Sequence, residues 1–516
     1  MKAATHSRVT TSAGLALLLL LSAPTGAKAS AGLTALPATG SVDPRFLSYN
    51  IEMLEVTGGR FWRPYGSPGA DRYEYRPPLN LGDRRLRAAA KALAPAYVRY
   101  SGTWANATWF ADTATAPEKP PAGFDSVLTQ QQWRGAIDFA NATGAAIVTS
   151  FPTSPGTRDA KGVWQSDTAA RWLAFTRRAG GRIAAAEFAN EPNMVTLTRP
   201  PEGYTGADYR RDYASFATWL RRASPGTLLL APGFAELGEP TRTMSKRNKS
   251  MQQFEGEELL TAELPRPDGF SFHFYGGASE RCGGKIMGHS LEKALSPAWL
   301  DQLDPALARM KALRDRVAPG VPLWNTESAE TACGGNPWAS SFADSFRFVD
   351  TLGRSAQAGV RVFMHNTLAA SDYGLLEEHD FTPRPNFWAA LLWKRTMGTT
   401  VLVPPPSPAP ELRIYAHCLP NRGGGVGLAV INLGDEARSL PVGGNARTWI
   451  FRAAKLDSKA ITISGRTPAL STAGVISGLE GETVAGELMV PGRSIAFLAA
   501  TSAGNKACRG SAGQRR

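Results

Sequence analysis

The chain has 516 residues, 43% of them hydrophobic and 20% charged, which is long enough for one large domain and a smaller one and too apolar for wholesale disorder. The 57 Lys and Arg outnumber the 44 Asp and Glu, giving a net charge of +13 that suits acidic partners, but no nucleic-acid motif accompanies it. Four Cys exclude a disulfide-dense scaffold and a zinc-rich module, and none of them has a tight metal-ligand spacing.

Residues 1–29 read as an export signal. Lys2 and Arg8 give a positive start, 15–21 a short uncharged apolar run, and Ala27-Lys28-Ala29 a small-x-small cleavage site. The run is far short of the roughly 20 residues that span a bilayer, and no later segment is long and apolar enough, so no integral membrane segment is expected in the mature chain. Cleavage would remove Lys2, Arg8 and Lys28 and take the net charge from +13 to +10. In an oxidising compartment, Cys282, Cys333, Cys418 and Cys508 have three ways to form two disulfides. Cys418 with Cys508 is favoured because both lie in the C-terminal segment; Cys282 and Cys333 either bridge two loops or stay as buried thiols.

From 46 to 400, short apolar runs alternate with amphipathic stretches. Strands are expected at 46–51, 96–100, 145–151, 183–188, 227–231, 269–273, 322–325 and 360–365. Helices are expected at 130–141, 167–178 with Ser166 as cap, 208–222, 299–317, 342–358 and 385–396. Eight strands alternating with helices point to an α/β fold, the (β/α)8 TIM barrel. A doubly wound open sheet would carry a Gly-rich phosphate turn after an early strand, and none is present. Residues 401–410 form a Pro-rich connector. Residues 411–508 show short alternating runs with Gly-rich turns, the pattern of a C-terminal β-sandwich domain. The polar, basic tail 509–516 is expected to be disordered.

In such a barrel, chemistry sits at the C-terminal ends of the strands. The fourth strand runs into Asn190-Glu191-Pro192, and the seventh runs through Asn325-Thr326 into Glu327, so the two Glu share one rim. Glycoside hydrolysis with retention needs two carboxyl groups about 5–5.5 Å apart. Such a pair repels, so one member holds a proton while donors beside the other favour its ionised form. Glu191 is read as the general acid/base and Glu327 as the nucleophile. Asn190 is placed to bond a sugar 2-hydroxyl, and His273 or Tyr275, ending the sixth strand, to reach Glu327. The plain alternatives are a helix-capping Asn190, a core His273, and Glu330 as nucleophile in place of Glu327. Glu377-Glu378 reads as a solvated loop. The basic run Lys246-Arg247-Asn248-Lys249 reads as a solvated loop or as a track for polyanions. No metal or cofactor is required.

These segments resemble clan A glycoside hydrolases, and more closely glycoside hydrolase family 79, which holds heparanases and β-glucuronidases. The likeness is carried by Phe46-Leu47-Ser48 after Asp43-Pro44 and by Val98-Arg99-Tyr100-Ser101-Gly102-Thr103. Glu187-Phe188-Ala189-Asn190-Glu191-Pro192-Asn193 and Leu323-Trp324-Asn325-Thr326-Glu327-Ser328 carry it at the two Glu. Asp372-Tyr373-Gly374-Leu375 and Leu412-Arg413-Ile414-Tyr415-Ala416-His417-Cys418 extend it. The resemblance implies a retaining mechanism on a uronate-containing oligo- or polysaccharide, and Tyr373 helping to hold the sugar carboxylate. It implies that 30–45 joins the β-sandwich and that Cys418 pairs with a late cysteine, here Cys508. Ser371-Asp372 stands where heparanases have Gly-Asn, so the Asp372 backbone N–H is expected to point inward. Asn106 stands where mammalian heparanases have Asp, at a position lining the sugar pocket. The alternatives are another clan A activity, β-xylosidase or arabinofuranosidase, and a non-catalytic carbohydrate-binding protein.

Overall fold

The computed structural model describes residues 32–113, 115, 117–248, 252–282 and 290–512. The expected export signal at 1–29 and Lys249 of the basic run lie outside the described residues. Eight parallel strands close into a barrel: β1 Leu47–Glu52, β2 Ala96–Ser101, β3 Ala145–Ser150, β4 Ile183–Glu187, β5 Leu228–Leu237, β6 Gly269–Tyr275, β7 Leu323–Ala329 and β8 Val360–His365. The (β/α)8 fold read from the sequence is therefore present. β5 and β7 run past their expected ends at 231 and 325, because Glu236 pairs in the ladder with Phe274 and Glu327 with His273. Polar side chains end an apolar run without ending the backbone ladder.

Side chains alternate across each strand, so residues two apart share a face. On one face, Tyr97, Val148, Ala185, Leu230, Trp324 and Val362 form an apolar cluster separate from the main core. Val98, Tyr100, Ile147, Leu229 and Phe270 face the other way, into the main core with helix residues such as Trp133 and Phe216. Arg99 and Glu187 follow Tyr97 and Ala185 by two, so charge stands on the inner face, one step nearer the C-terminal rim.

Two helices differ from expectation. The stretch 299–317 is broken into Pro297–Leu300 and Leu303–Val317. The restart puts Pro305 in the first turn, where a missing N–H costs nothing. Ser166 makes no side-chain cap, because its backbone (φ −83°, ψ −1°) is already helical rather than extended.

The C-terminal region is an eight-stranded antiparallel sheet. Ala38–Ser41 pairs with Thr400–Leu402, which pairs with Leu412–Cys418. The connector read from 401 thus starts after Leu402, since Val401 and Leu402 are buried ladder residues. One sheet face packs Tyr415, Ile431 and Phe497 into the barrel core. The other encloses Leu412, Ile414, Leu428, Leu440 and Leu488 in a second core. Asp350 of the barrel helix Phe342–Gln357 ties the two regions, accepting from Arg413 at 2.6 Å and from Tyr415 Oη at 2.5 Å.

Disulfides join Cys282 to Cys333 and Cys418 to Cys508. Of the tail expected to be disordered, 509–512 continue a 3-10 helix, Lys506–Ala512, tethered through Cys508, and 513–516 lie outside the described residues. Among the described residues, no helix is long and apolar enough to cross a membrane.

Candidate active site

Glu191 and Glu327 reach the same rim by different routes. Glu327 is part of β7, whereas Glu191 lies in the loop after β4 at φ +48°, a strained backbone for a residue with a side chain. Its N–H donates to Gly233 O at 3.1 Å, and its carbonyl accepts from Met194 N at 2.9 Å. Gly233 has φ +71°, and a Cβ there would strike Ala189 O, so only glycine allows this approach. Asn106 holds the other side. Its amide donates to Asn190 O at 2.9 Å and its carbonyl accepts from Asn190 N at 3.1 Å.

One oxygen of each carboxylate and a ring nitrogen of His273 lie within 4.8 Å of one another. Tyr275 Oη donates to Glu327 Oε1 at 2.6 Å, and Arg99 Nη1 donates to Oε2 at 2.8 Å. His273 Nδ1 lies 3.0 Å from Glu191 Oε1 and 3.8 Å from Glu327, so its closer partner is Glu191, not the Glu327 expected from the sequence. Arg99 Nη2 stands 3.2 Å from His273 Nε2. Arginine cannot accept, so a proton on Nε2 would have no acceptor there, and Nδ1 carries the proton that His273 donates to Glu191. These three groups have a spacing that a cation could use, but the Arg99 guanidinium already donates to two of them, which puts a fixed positive charge on that ground.

Arg99 and Glu187 are site residues that the sequence reading missed. Arg99 also donates to Glu187 Oε2 at 2.7 Å and to Asn190 Oδ1 at 2.8 Å. Burial works against the Glu187 charge, but the Arg99 guanidinium and hydrogen bonds from Ser271 and Arg99 outweigh it and hold that carboxyl below its ordinary range. Asn190 keeps a buried Nδ2 without a partner among the described residues. Glu52, ending β1, was missed as well. Gly102, at φ +94°, leaves the room its carboxylate occupies. Burial, then the Glu327 charge, pushes the Glu52 carboxyl well above its ordinary range. Asn366 Nδ2 lies 3.1 Å from Glu52 Oε1 and from the hydroxyls of Tyr275 and Tyr373.

Other residues singled out in the sequence have partners of their own. Asp372 does not present its N–H to the cleft: that group donates to Gly334 O at 3.1 Å, and the Asp372 carboxylate pairs with Arg281, a partner distant in sequence. Both amide atoms of Asn106 are taken by the Asn190 backbone, so Asn106 positions that loop. Glu330 is fully buried and spent on its own loop, accepting from Asn336 N, Asn336 Nδ2 and Thr331 Oγ1 at 2.8–2.9 Å. Lys246 and Arg247 end the helix Thr241–Arg247, and Lys246 pairs with Glu255 at 2.5 Å. Glu377 pairs with Arg384 and Lys459.

Buried titrating groups set the pH response of the fold. Burial pushes the Glu55 carboxyl up to about 8 and the Glu330 carboxyl up to about 7, from 4.5. Burial lowers the His365 and His417 imidazoles from 6.5 to about 4. Between pH 4.5 and 6.5 the folded chain holds the extra carboxyl protons while the unfolded chain holds the extra imidazole protons, so the two slopes oppose. Above pH 6.5 the carboxyls lower stability with rising pH by roughly 1 kcal/mol per unit for each, Glu330 up to about pH 7 and Glu55 up to about pH 8. Above about pH 7 Lys394, which burial lowers from 10.5 to about 7, acts in the opposite sense because the unfolded chain keeps its proton. Urea midpoints should therefore decline from pH 6.5 to 7 and level off between 7 and 8, and Glu55→Gln should flatten the decline.

No protein-family model matches the chain. Mouse heparanase is 26% identical over 461 residues, covering 78% of each chain. Heparanase-like protein 1 of Arabidopsis thaliana is 26% identical over 405 residues, covering 73% of this chain and 69% of that one. Human inactive heparanase-2 is 23% identical over 412 residues, covering 74% and 66%. Among solved structures, a thermostable GH51 alpha-L-arabinofuranosidase from Thermotoga petrophila superposes with a TM-score of 0.61 at 15% identity, covering 90% of this chain and 98% of that one. The chain is thus similar in sequence to heparanases and heparanase-like proteins, as the resemblance implied, and shares the fold of that arabinofuranosidase.

Proposed function

We propose that the chain is a retaining glycoside hydrolase that removes β-linked glucuronate from an oligo- or polysaccharide, with Glu327 as nucleophile and Glu191 as acid/base. The observation that carries this reading is the approach of Glu191 and Glu327 to within 4.8 Å at the ends of β4 and β7. That separation suits direct attack; inverting enzymes need about 6.5–9.5 Å to admit water. Tyr275 and Arg99 each take one lone pair of Glu327 and leave another on each oxygen. One of these attacks the anomeric carbon while Glu191 passes its proton to the leaving oxygen. His273 occupies Glu191 Oε1, so the proton belongs on Oε2. Water, deprotonated by Glu191, then cleaves the glycosyl ester and restores both groups. The free Nδ2 of Asn190 is the donor for a sugar 2-hydroxyl.

Support for a uronate comes from O–H donors near Glu327. The Tyr373 hydroxyl accepts from Asn366 and keeps its own proton to give, and burial and the Glu327 charge favour the protonated form of Glu52. Both suit a sugar carboxylate, which accepts and cannot donate. Export is part of the proposal, supported by the pattern at 1–29 and by two disulfides, which persist in oxidising compartments. Aryl β-glucuronide, β-xyloside and α-arabinofuranoside should be compared, with product stereochemistry followed by NMR. Cleavage of the glucuronide with β-glucuronate released first is expected; cleavage of the xyloside alone would reject the uronate assignment.

A further inference from the structure

We propose that a hairpin between β1 and β2 carries a second carbohydrate-binding face, for a uronate-bearing polysaccharide chain; the choice of polymer rests on the function proposed above. The hairpin pairs Gly59–Trp62 with Tyr73–Arg76, antiparallel. Directly opposite residues share a face, so Arg60, Trp62, Tyr73 and Tyr75 lie on one side and Phe61, Glu74 and Arg76 on the other. The second side is the anchor. Phe61 is fully buried against Leu54 and Ala370, and Arg76 pairs with Glu378. Arg281 Nε secures the turn by donating to Arg63 O at 3.0 Å.

The first side is an aromatic and cationic strip. Trp62 and Tyr73 rings lie 4.7 Å apart, and Trp62 meets Trp104 at 6.4 Å and 80°. Tyr75 is 71% exposed. Arg60 is exposed beside it, paired with Asp71, and Arg72, in the turn just before Tyr73, is exposed with no ion-pair partner among the described residues. Nor does either indole N–H have a partner among them. Aromatic faces stack on the C–H faces of sugar rings, indole N–H groups bond hydroxyls, and Arg complements carboxylates. The strip is continuous with the cleft: Trp104 follows Gly102, which abuts Glu52, and Trp62 abuts Gly334 in the loop after Glu327.

The test uses the full chain and the variant Arg72→Ala/Tyr75→Ala, whose two side chains are exposed. Electrophoresis through gels containing polyglucuronate or neutral xylan, with Glu327→Gln added to both proteins to stop hydrolysis, measures binding without turnover. Polyglucuronate should retard the wild type, and the variant's apparent affinity should fall about tenfold, the scale of losing one strong contact. The variant's kcat/KM on the aryl glucuronide should stay within about twofold of wild type while that on polyglucuronate falls. No retardation of the wild type, equal retardation of both proteins, or equal retardation by xylan would overturn the proposal. A chain that binds polyglucuronate through this face but cleaves no glucuronide would sink the proposed reaction and leave the face standing.

Discussion

Glu327→Ala should lower kcat on every glycoside by about 10⁴-fold or more, because no other group can form the covalent intermediate. Azide should restore turnover by attacking from the vacated side, giving the α-glycosyl azide. Glu191→Gln should behave differently. Its cost should be about 10²–10⁴-fold on a poor leaving group and small for glycosylation from a dinitrophenyl glycoside, which needs no proton. Azide would then attack the glycosyl-enzyme and give the β-glycosyl azide. Glu330→Gln separates the two carboxylates of β7's end: Glu330 braces residues 331–336, so its loss should act on stability far more than on kcat. Equal kcat in Glu327→Ala and wild type would remove the nucleophile assignment.

The parts of this site that were legible in the sequence are those fixed by chain order. A Glu just after the fourth strand and another ending the seventh must share a rim once the strands close, whatever the side chains around them. Arg99, Glu187 and Glu52 were harder because each sits inside or ends a strand whose neighbours are apolar, and burial inside a barrel is set by closure. A signal was present: a charged residue in a buried strand needs a partner, and Arg99 and Glu187 are opposite charges at matching heights on β2 and β4. The Asp372–Arg281 pair could not be read, since it joins loops after β6 and β8 with no local pattern. The break at 301–302 was legible in Pro305, which a helix accepts only in its first turn.

Arg99→Met should be the most destabilising single change in the barrel, because it strands two acidic groups at once. Arg99 is 1% exposed and donates to Glu187, which is fully buried, and to Glu327. Removing one partner of a buried pair costs about 3–5 kcal/mol, since the remaining charge keeps its desolvation penalty. Arg99→Lys keeps the charge but loses the fork that serves four acceptors, so it should recover part of the stability and little activity. The double variant Arg99→Met/Glu187→Gln separates folding from chemistry. It removes the stranded charge on Glu187, so its urea midpoint should rise well above that of Arg99→Met. Activity should stay low, because Glu327 Oε2 and Asn190 Oδ1 still lack the donor that aims them. An Arg99→Met midpoint equal to wild type would mean that water or rearrangement compensates both carboxylates, and the charged layer would then serve the reaction without holding the barrel.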